Sequence, residues 1–281
     1  EAIYTKVLRD LLFQQVNKTD NPTYYSYDVN HQMPIYSSNV NSSLSNAYLL
    51  SNTDKGYRYS LTGMVTKAYE FGLNFMTAYT YGDAKDLTNG IRNSMESNWQ
   101  MNQSLTPNNP QLATSNFNIK HRIVSNLGYA INLSKSNTLS ANVFFNAQSG
   151  NPFTWGFVNS SIAGTGQSAG LAYVFKDAAE ASRYIGIDPT THLPSATAAQ
   201  QVADYENFVN GHEYLSKRRG GFTERNGDVT PWNIQADMRI MDEFKIKDSK
   251  DVVHSLQFSL SIINVGNMIN KDWGRSYFVP N

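Results

Sequence analysis

Between residues 57 and 82 apolar and polar positions alternate with a period of two, the signature of strands with one apolar and one polar face. Phe71, Leu73, Phe75, Thr77, Tyr79 and Tyr81 share one face; Gly72, Asn74, Met76, Ala78, Thr80 and Gly82 share the other. Upstream, Tyr57, Tyr59, Leu61 and Val65 alternate with Arg58, Ser60, Thr62 and Thr66, so the short stretch 67–70 predicts an antiparallel hairpin. The pattern returns at about 117–132, where Ile123, Leu127 and Tyr129 oppose Arg122, Asn126 and Gly128. It turns near 134–136 and continues through Leu139, Ala141, Val143, Phe145 and Ala147. It recurs at Trp232, Ile234, Ala236, Met238 and Ile240 and, after a polar turn at 247–251, at Leu256, Phe258, Leu260 and Ile262. Segment 1–15 also reads as strand, although both of its faces carry apolar residues.

The connections alternate between short turns and long loops, the long ones falling at roughly 16–46, 84–116 and 151–229. A soluble sandwich has no reason to gather every long loop at one end, whereas outer-membrane barrels do so. A membrane-crossing strand needs about 9–11 residues, and these are long enough. Aromatics flank the aliphatic middle of 71–81, with Tyr79 and Tyr81 toward the long-loop end, as interfacial belts require. The prediction is an all-β fold: an antiparallel transmembrane β-barrel wall of about seven strands with long extracellular loops. Lipid would meet Phe71, Leu73, Phe75, Leu139, Val143, Phe145, Leu256, Phe258, Leu260 and Ile262. Lys or Arg there would cost about 2–4 kcal/mol each at mid-bilayer, and Arg58, Lys120, Arg122 and Arg239 fall on the opposite face. The competing reading is a soluble carbohydrate-binding sandwich with one buried face.

The third loop carries helix signals. Thr197 and Gln200 form a capping-box pattern, Val202, Tyr205 and Val209 follow at helical spacing, and Lys217–Arg219 precede Gly220. A shorter helix is expected at 177–184. This long loop therefore reads as a folded surface subdomain.

Composition narrows the classes. Charged residues are only 16%, and no run approaches the ~18 apolar residues of a membrane helix. The mean hydropathy of −0.46 fits a barrel whose lumen face is polar. Lys plus Arg equals Asp plus Glu at 23 each, so nothing steers the chain toward nucleic acid. Cys is absent, which removes disulfides and thiolate metal sites. The opening EAIYTKVLRDLLF reads as mid-strand without a signal peptide, and a further strand is expected after Asn281, so the chain reads as a fragment.

Several stretches together resemble the C-terminal barrel region of TonB-dependent outer-membrane receptors, in particular the Oar-like group with an N-terminal carboxypeptidase-regulatory-like domain. They include AYTYGDAKD (78–86), SNWQMN (97–102), TPNNPQL (106–112), SNFNIKHRI (115–123), QSGNPFTW (148–155), EYLSKRRGGFTERNGDVTPWNIQADMRI (213–240) and INVGNMINKDWGRSY (263–277). The resemblance implies part of a 22-stranded barrel in the outer membrane of a diderm bacterium, its lumen plugged. It further implies partners outside this stretch: a plug domain, a TonB-type energy-coupling protein and the outer-membrane bilayer. The function implied is uptake of an extracellular peptide, glycan or chelate. A non-transporting barrel that serves as an adhesin, or docks surface partner proteins, is the alternative.

Candidate chemistry is sparse. Five His residues lack metal-ligand spacing, no GxSxG or phosphate-binding loop occurs, and neither a metal, a cofactor nor an enzyme is expected. Glu206 and Glu213 lie seven apart on the expected helix and could pair as hydrolytic carboxylates, or simply be solvated. Asp83, Asp86 and Asn89 could offer oxygens to Ca²⁺ or cap a loop. Arg218, Arg219, Glu224, Arg225 and Asp228 could bind a charged ligand or pin the loop to the rim. The ligand-binding candidates are loop aromatics: Tyr24, Tyr25, Tyr27 and Tyr36, then Trp99, then Trp155 and Phe157. Packing of loop on loop is their alternative role.

Overall fold

The computed structural model describes residues 1–26, 32–88, 90, 92–158, 167–188, 190–247, 249 and 252–279. Seven strands form one antiparallel sheet: β1 (Ala2–Lys6), β2 (Tyr57–Ala68), β3 (Leu73–Asp86), β4 (His121–Ser134), β5 (Asn137–Gln148), β6 (Asn233–Lys247) and β7 (Val253–Ile262). Their order in the sheet is their order in the chain, with a two-residue piece, Ala113–Thr114, added beside the end of β3. The sheet is open: among the described residues β1 pairs with β2 and β7 with β6, and not with each other.

The register places the alternating pattern on one continuous surface. Directly paired residues share a face, so Leu61–Tyr81, Phe75–Leu127, Leu127–Val143, Val143–Met238 and Ile240–Leu260 join into one apolar face across six strands. Of the lipid-facing residues expected from sequence, Leu73, Phe75, Leu139, Val143, Phe145, Leu256, Phe258, Leu260 and Ile262 all stand on it. Phe71 belongs instead to the turn before β3, where its ring meets Tyr69. Charged residues on this face are Lys6, Lys67, Asp83 and Lys85, all near strand ends, and Asp242, which lies inside β6 opposite Leu139 and Phe258. Lys67 lays its ammonium over the Tyr69 ring, and Asp242 accepts a 2.6 Å bond from Asn137. The opposite face carries Arg58, Arg122 and Arg239 and is laced by Thr62–Thr80, Asn132–Thr138 and Arg122–Asn146 hydrogen bonds. Its apolar members include Met64, Met76, Val124, Phe144 and Met241.

The β4–β5 turn lies at 135–136, as the alternation expects, but the first hairpin turn is displaced. The β2–β3 turn occupies 69–72, two residues later than expected, because Gly72 takes φ 98°, a left-handed conformation that Gly adopts freely. A Cβ there would strike the carbonyl oxygen of Ala130 in β4. Segment 1–15 splits in two: β1 stays in the wall, while Asp10–Gln15 leaves it to form a ribbon with Tyr48–Thr53. This explains its apolar residues on both faces, since Phe13 is buried against the loops rather than aligned with the wall. The strand expected from 117 begins only at His121, because Asn118 closes a turn on Ser115 and its side chain accepts from the Ala84 amide.

Consequently the long connections, 7–56, 87–120 and 149–232, lie together at one end of the sheet, and the short turns lie at the other. Turn residues 248, 250 and 251 are outside the described residues.

Candidate functional site

The candidate functional surface is the assembly of loops at the long-loop end. Its lower storey joins the first and second loops. Gln15, fully buried at the end of the ribbon, receives the amides of Asn17 and Ala47 on its side-chain oxygen and donates to Asn46. Asn108 bonds both backbone groups of Gln15, and Trp99 donates its indole N–H to the same Asn108 oxygen at 3.0 Å. Trp99 projects from helix α1 (Met95–Gln100), capped by Ser94, against Tyr48. It is 2% exposed, so it serves packing and offers no surface to a ligand.

The upper storey is the third loop, with helices α2 (Ala178–Ala181), α3 (Ala198–Gly211) and α4 (Glu213–Ser216) around a small core of Val174, Val209 and Leu215. Trp155 packs edge-on to Phe153, Phe208 and His212 and donates to Asp228 at 2.8 Å. The hydroxyls of Tyr205 and Tyr214 accept the backbone amides of Phe175 and Glu224. Burial raises both phenols above the ordinary tyrosine range. Thr197 stands at the start of α3 as expected but makes no cap bond: with ψ near 5° it accepts from the Gln201 side chain instead, and Gln200 turns to Asp204. Asp177 does cap α2, through the Glu180 amide.

The basic and acidic residues before β6 are paired with one another and with the rim. Arg219 makes a two-pronged contact with Glu206, at 3.1 and 2.8 Å, and Arg218 meets Glu224 at 2.8 Å. Arg225, 3% exposed, reaches Asp86 at the end of β3, while Asn226 donates to the Thr114 carbonyl. These contacts pin the third loop to the wall. They also consume Asp86 as a cation ligand; Asp83 lies beside the Asn118 amide, and Asn89 is outside the described residues. Glu206 and Glu213 fall on different helices, the latter paired with Lys217, so the two carboxylates do not converge.

Of the remaining aromatic candidates, Tyr24 and Tyr25 are exposed on a short hairpin (Thr23–Ser26 with Gln32–Ile35), Tyr25 near Tyr184. Burial, and then the neighbouring Tyr24 and Asp20, raise the half-buried Tyr36 phenol. Phe157 is partly exposed, and Tyr27 lies outside the described residues.

Alternation did not reveal the recess at the mouth of the polar face, a cavity of ≈380 Å³ between 115–119, the base of the third loop and 278–279. Phe117 and Ile119 also border the adjoining groove over Arg58, Ser60 and Thr80, which puts this recess on the polar side of the wall. The only sequence signal was the Asn-rich run SNFN, and reading Phe117 as strand concealed it.

No protein-family model, curated protein or solved structure matches the chain.

Proposed function

We propose that the chain forms part of the wall and extracellular loops of an outer-membrane β-barrel receptor of the TonB-dependent, Oar-like kind, taking up an extracellular ligand. The observation that carries this reading is the bare apolar face. Leu61, Val65, Leu127, Leu256, Phe258 and Leu260 are each at least half exposed on one continuous surface. Soluble monomers rarely expose contiguous apolar patches beyond a few hundred Å², and a soluble sandwich would cover this face with a second sheet. The other sheets among the described residues are two-stranded pieces in the loops. Lipid supplies the missing cover. From Leu73 to Tyr81 the apolar run on β3 covers nine residues, within the ~9–11 that a tilted membrane strand needs.

Aromatic rows at both ends support the same orientation. At the loop end Tyr59 meets Tyr81, Tyr81 and Tyr79 both meet His121, and His121 stacks between Tyr79 and Trp232. At the turn end stand Tyr69, Phe71, Phe244 and Phe258. Amphipathic rings suit the bilayer interfaces. Further strands beyond β1 and β7 would close the barrel.

The test uses single cysteines, since the chain has none of its own. In the full-length protein in its native envelope, Leu127→Cys should react with a lipid-soluble maleimide and resist a charged one. Asn126→Cys should do the reverse. Equal reaction of both with the charged reagent would sink the membrane-wall reading. Co-purification of the full-length protein with an energy-coupling protein of the inner membrane is expected for a transporter; failure to recover it would leave a non-transporting barrel.

A further inference from the structure

We infer that the recess at the mouth of the polar face is a binding site for a neutral oligosaccharide. This deepens the receptor reading and rests on it for the direction of access. The recess holds ≈380 Å³, within the roughly 300–1,000 Å³ of small-ligand sites. Four amide side chains, Gln103, Asn116, Asn151 and Asn226, line it; Asn226 donates to the Thr114 carbonyl, and the side chains of the other three make no hydrogen bond among the described residues. Each amide offers two N–H donors and a carbonyl acceptor, the combination that vicinal hydroxyls of a sugar satisfy.

Three phenyl rings complete the lining. Phe117 and Phe278 are 71% and 80% exposed, and Phe153 is held edge-on by Trp155. A ligand that covers these open rings and replaces the amides' water by its own hydrogen bonds gains from both. A pyranose does so, since its C–H face lies flat on an aromatic ring while its hydroxyls reach the amides at the rim.

Charge decides against ionic ligands. No residue lining this recess is ionisable, so an acidic glycan, a phosphorylated ligand or an anionic metal chelate would lose its hydration without gaining a counter-charge. The neighbouring recess near Lys85 does contain Arg218, Arg225 and Glu224, but the arginines are engaged by Glu224 and Asp86. The third-loop side of the recess is tied down by hydrogen bonds. Asn226, at φ 54°, donates its backbone N–H to the Thr154 hydroxyl, and Thr230 bonds both backbone groups of Asn151. A preformed site of this kind spends little free energy on ordering when it binds.

The experiment is calorimetric titration of the detergent-purified full-length protein with maltohexaose, cellohexaose, xylohexaose and mannohexaose. Oligogalacturonate and an uncharged peptide serve as comparison probes. At least one neutral hexasaccharide should bind, and Phe117→Ala or Asn116→Ala should weaken it by about tenfold or more. Phe117→Tyr, which keeps the ring, should retain binding and shows that the loop is still built. Lys85→Ala, in the neighbouring recess, should change nothing. The inference is overturned if no neutral hexasaccharide binds, if oligogalacturonate or the peptide binds in preference, or if binding survives both alanine variants. Thiol labelling of the wall is independent of this result. Uniform labelling with intact sugar binding overturns the barrel alone, and alternating labelling without sugar binding overturns only the sugar site.

Discussion

Arg225, in the third loop, donates to both the backbone carbonyl and a carboxylate oxygen of Asp86, 139 residues away in sequence, at 2.6 Å each. The guanidinium is 3% exposed and the carboxylate 18%, so this is a buried ion pair and the principal latch between the loop subdomain and the wall. Leaving one buried charge without its partner is far costlier than removing both. Arg225→Ala should therefore destabilise the loop assembly by about 3–5 kcal/mol, read from urea unfolding. The double variant Arg225→Met with Asp86→Leu should recover most of that loss. A single variant with near wild-type stability would show that the latch is dispensable.

Trp99 is a packing residue. Trp99→Phe removes its bond to Asn108 and should cost about 1 kcal/mol, and Trp99→Ala, which opens a cavity, about 3–5 kcal/mol. Hydrogen exchange at Gln15, whose backbone is bonded to Asn108, should accelerate in both variants.

One arginine at mid-wall separates the two faces. Leu127→Arg should lower the folding free energy in phospholipid vesicles by about 2–4 kcal/mol, whereas Asn126→Arg, on the polar face beside Phe144 and Met76, should be tolerated. Equal penalties at both positions would contradict the assignment of lipid to the Leu127 side.

The contact between the first and second loops should loosen in alkali. Burial first, and then the Glu96 carboxylate, push the Tyr48 phenol from 10.0 up to about 12. A folded-state pKa above the unfolded one means that the folded protein holds this proton more tightly. The stabilisation is thus complete below pH 10 and is lost as the pH rises from 10 to about 12. Tyrosinate absorbance followed alongside unfolding should show this loss, and Tyr48→Phe should abolish it.

Much of the wall was legible because alternation is a local property. Leu127 and Asn126 point to opposite faces wherever their strand goes, so a period of two assigns faces before any partner is known. One turn was less legible: the β2–β3 turn depends on Gly72 clearing the Ala130 carbonyl of another strand, and no local pattern encodes that approach. The loop aromatics show the limit most clearly. Trp99 and Tyr24 look equivalent in a polar loop, yet Trp99 is sealed by Asn108 and Tyr48 while Tyr24 stands in the open.

By itself, then, the sequence determined strand faces, the alternation of long loops with short turns, and the place where α3 begins, since each follows from side-chain order along a few residues. The tertiary structure decided what the loops do. Whether Arg225 is a latch or a free cation depends on Asp86 arriving from β3. Whether Gln103, Asn116 and Asn151 form a site depends on three separate segments meeting at one rim. Burial and hydrogen bonding between residues distant in the chain are set by packing, and packing is not written in any short stretch.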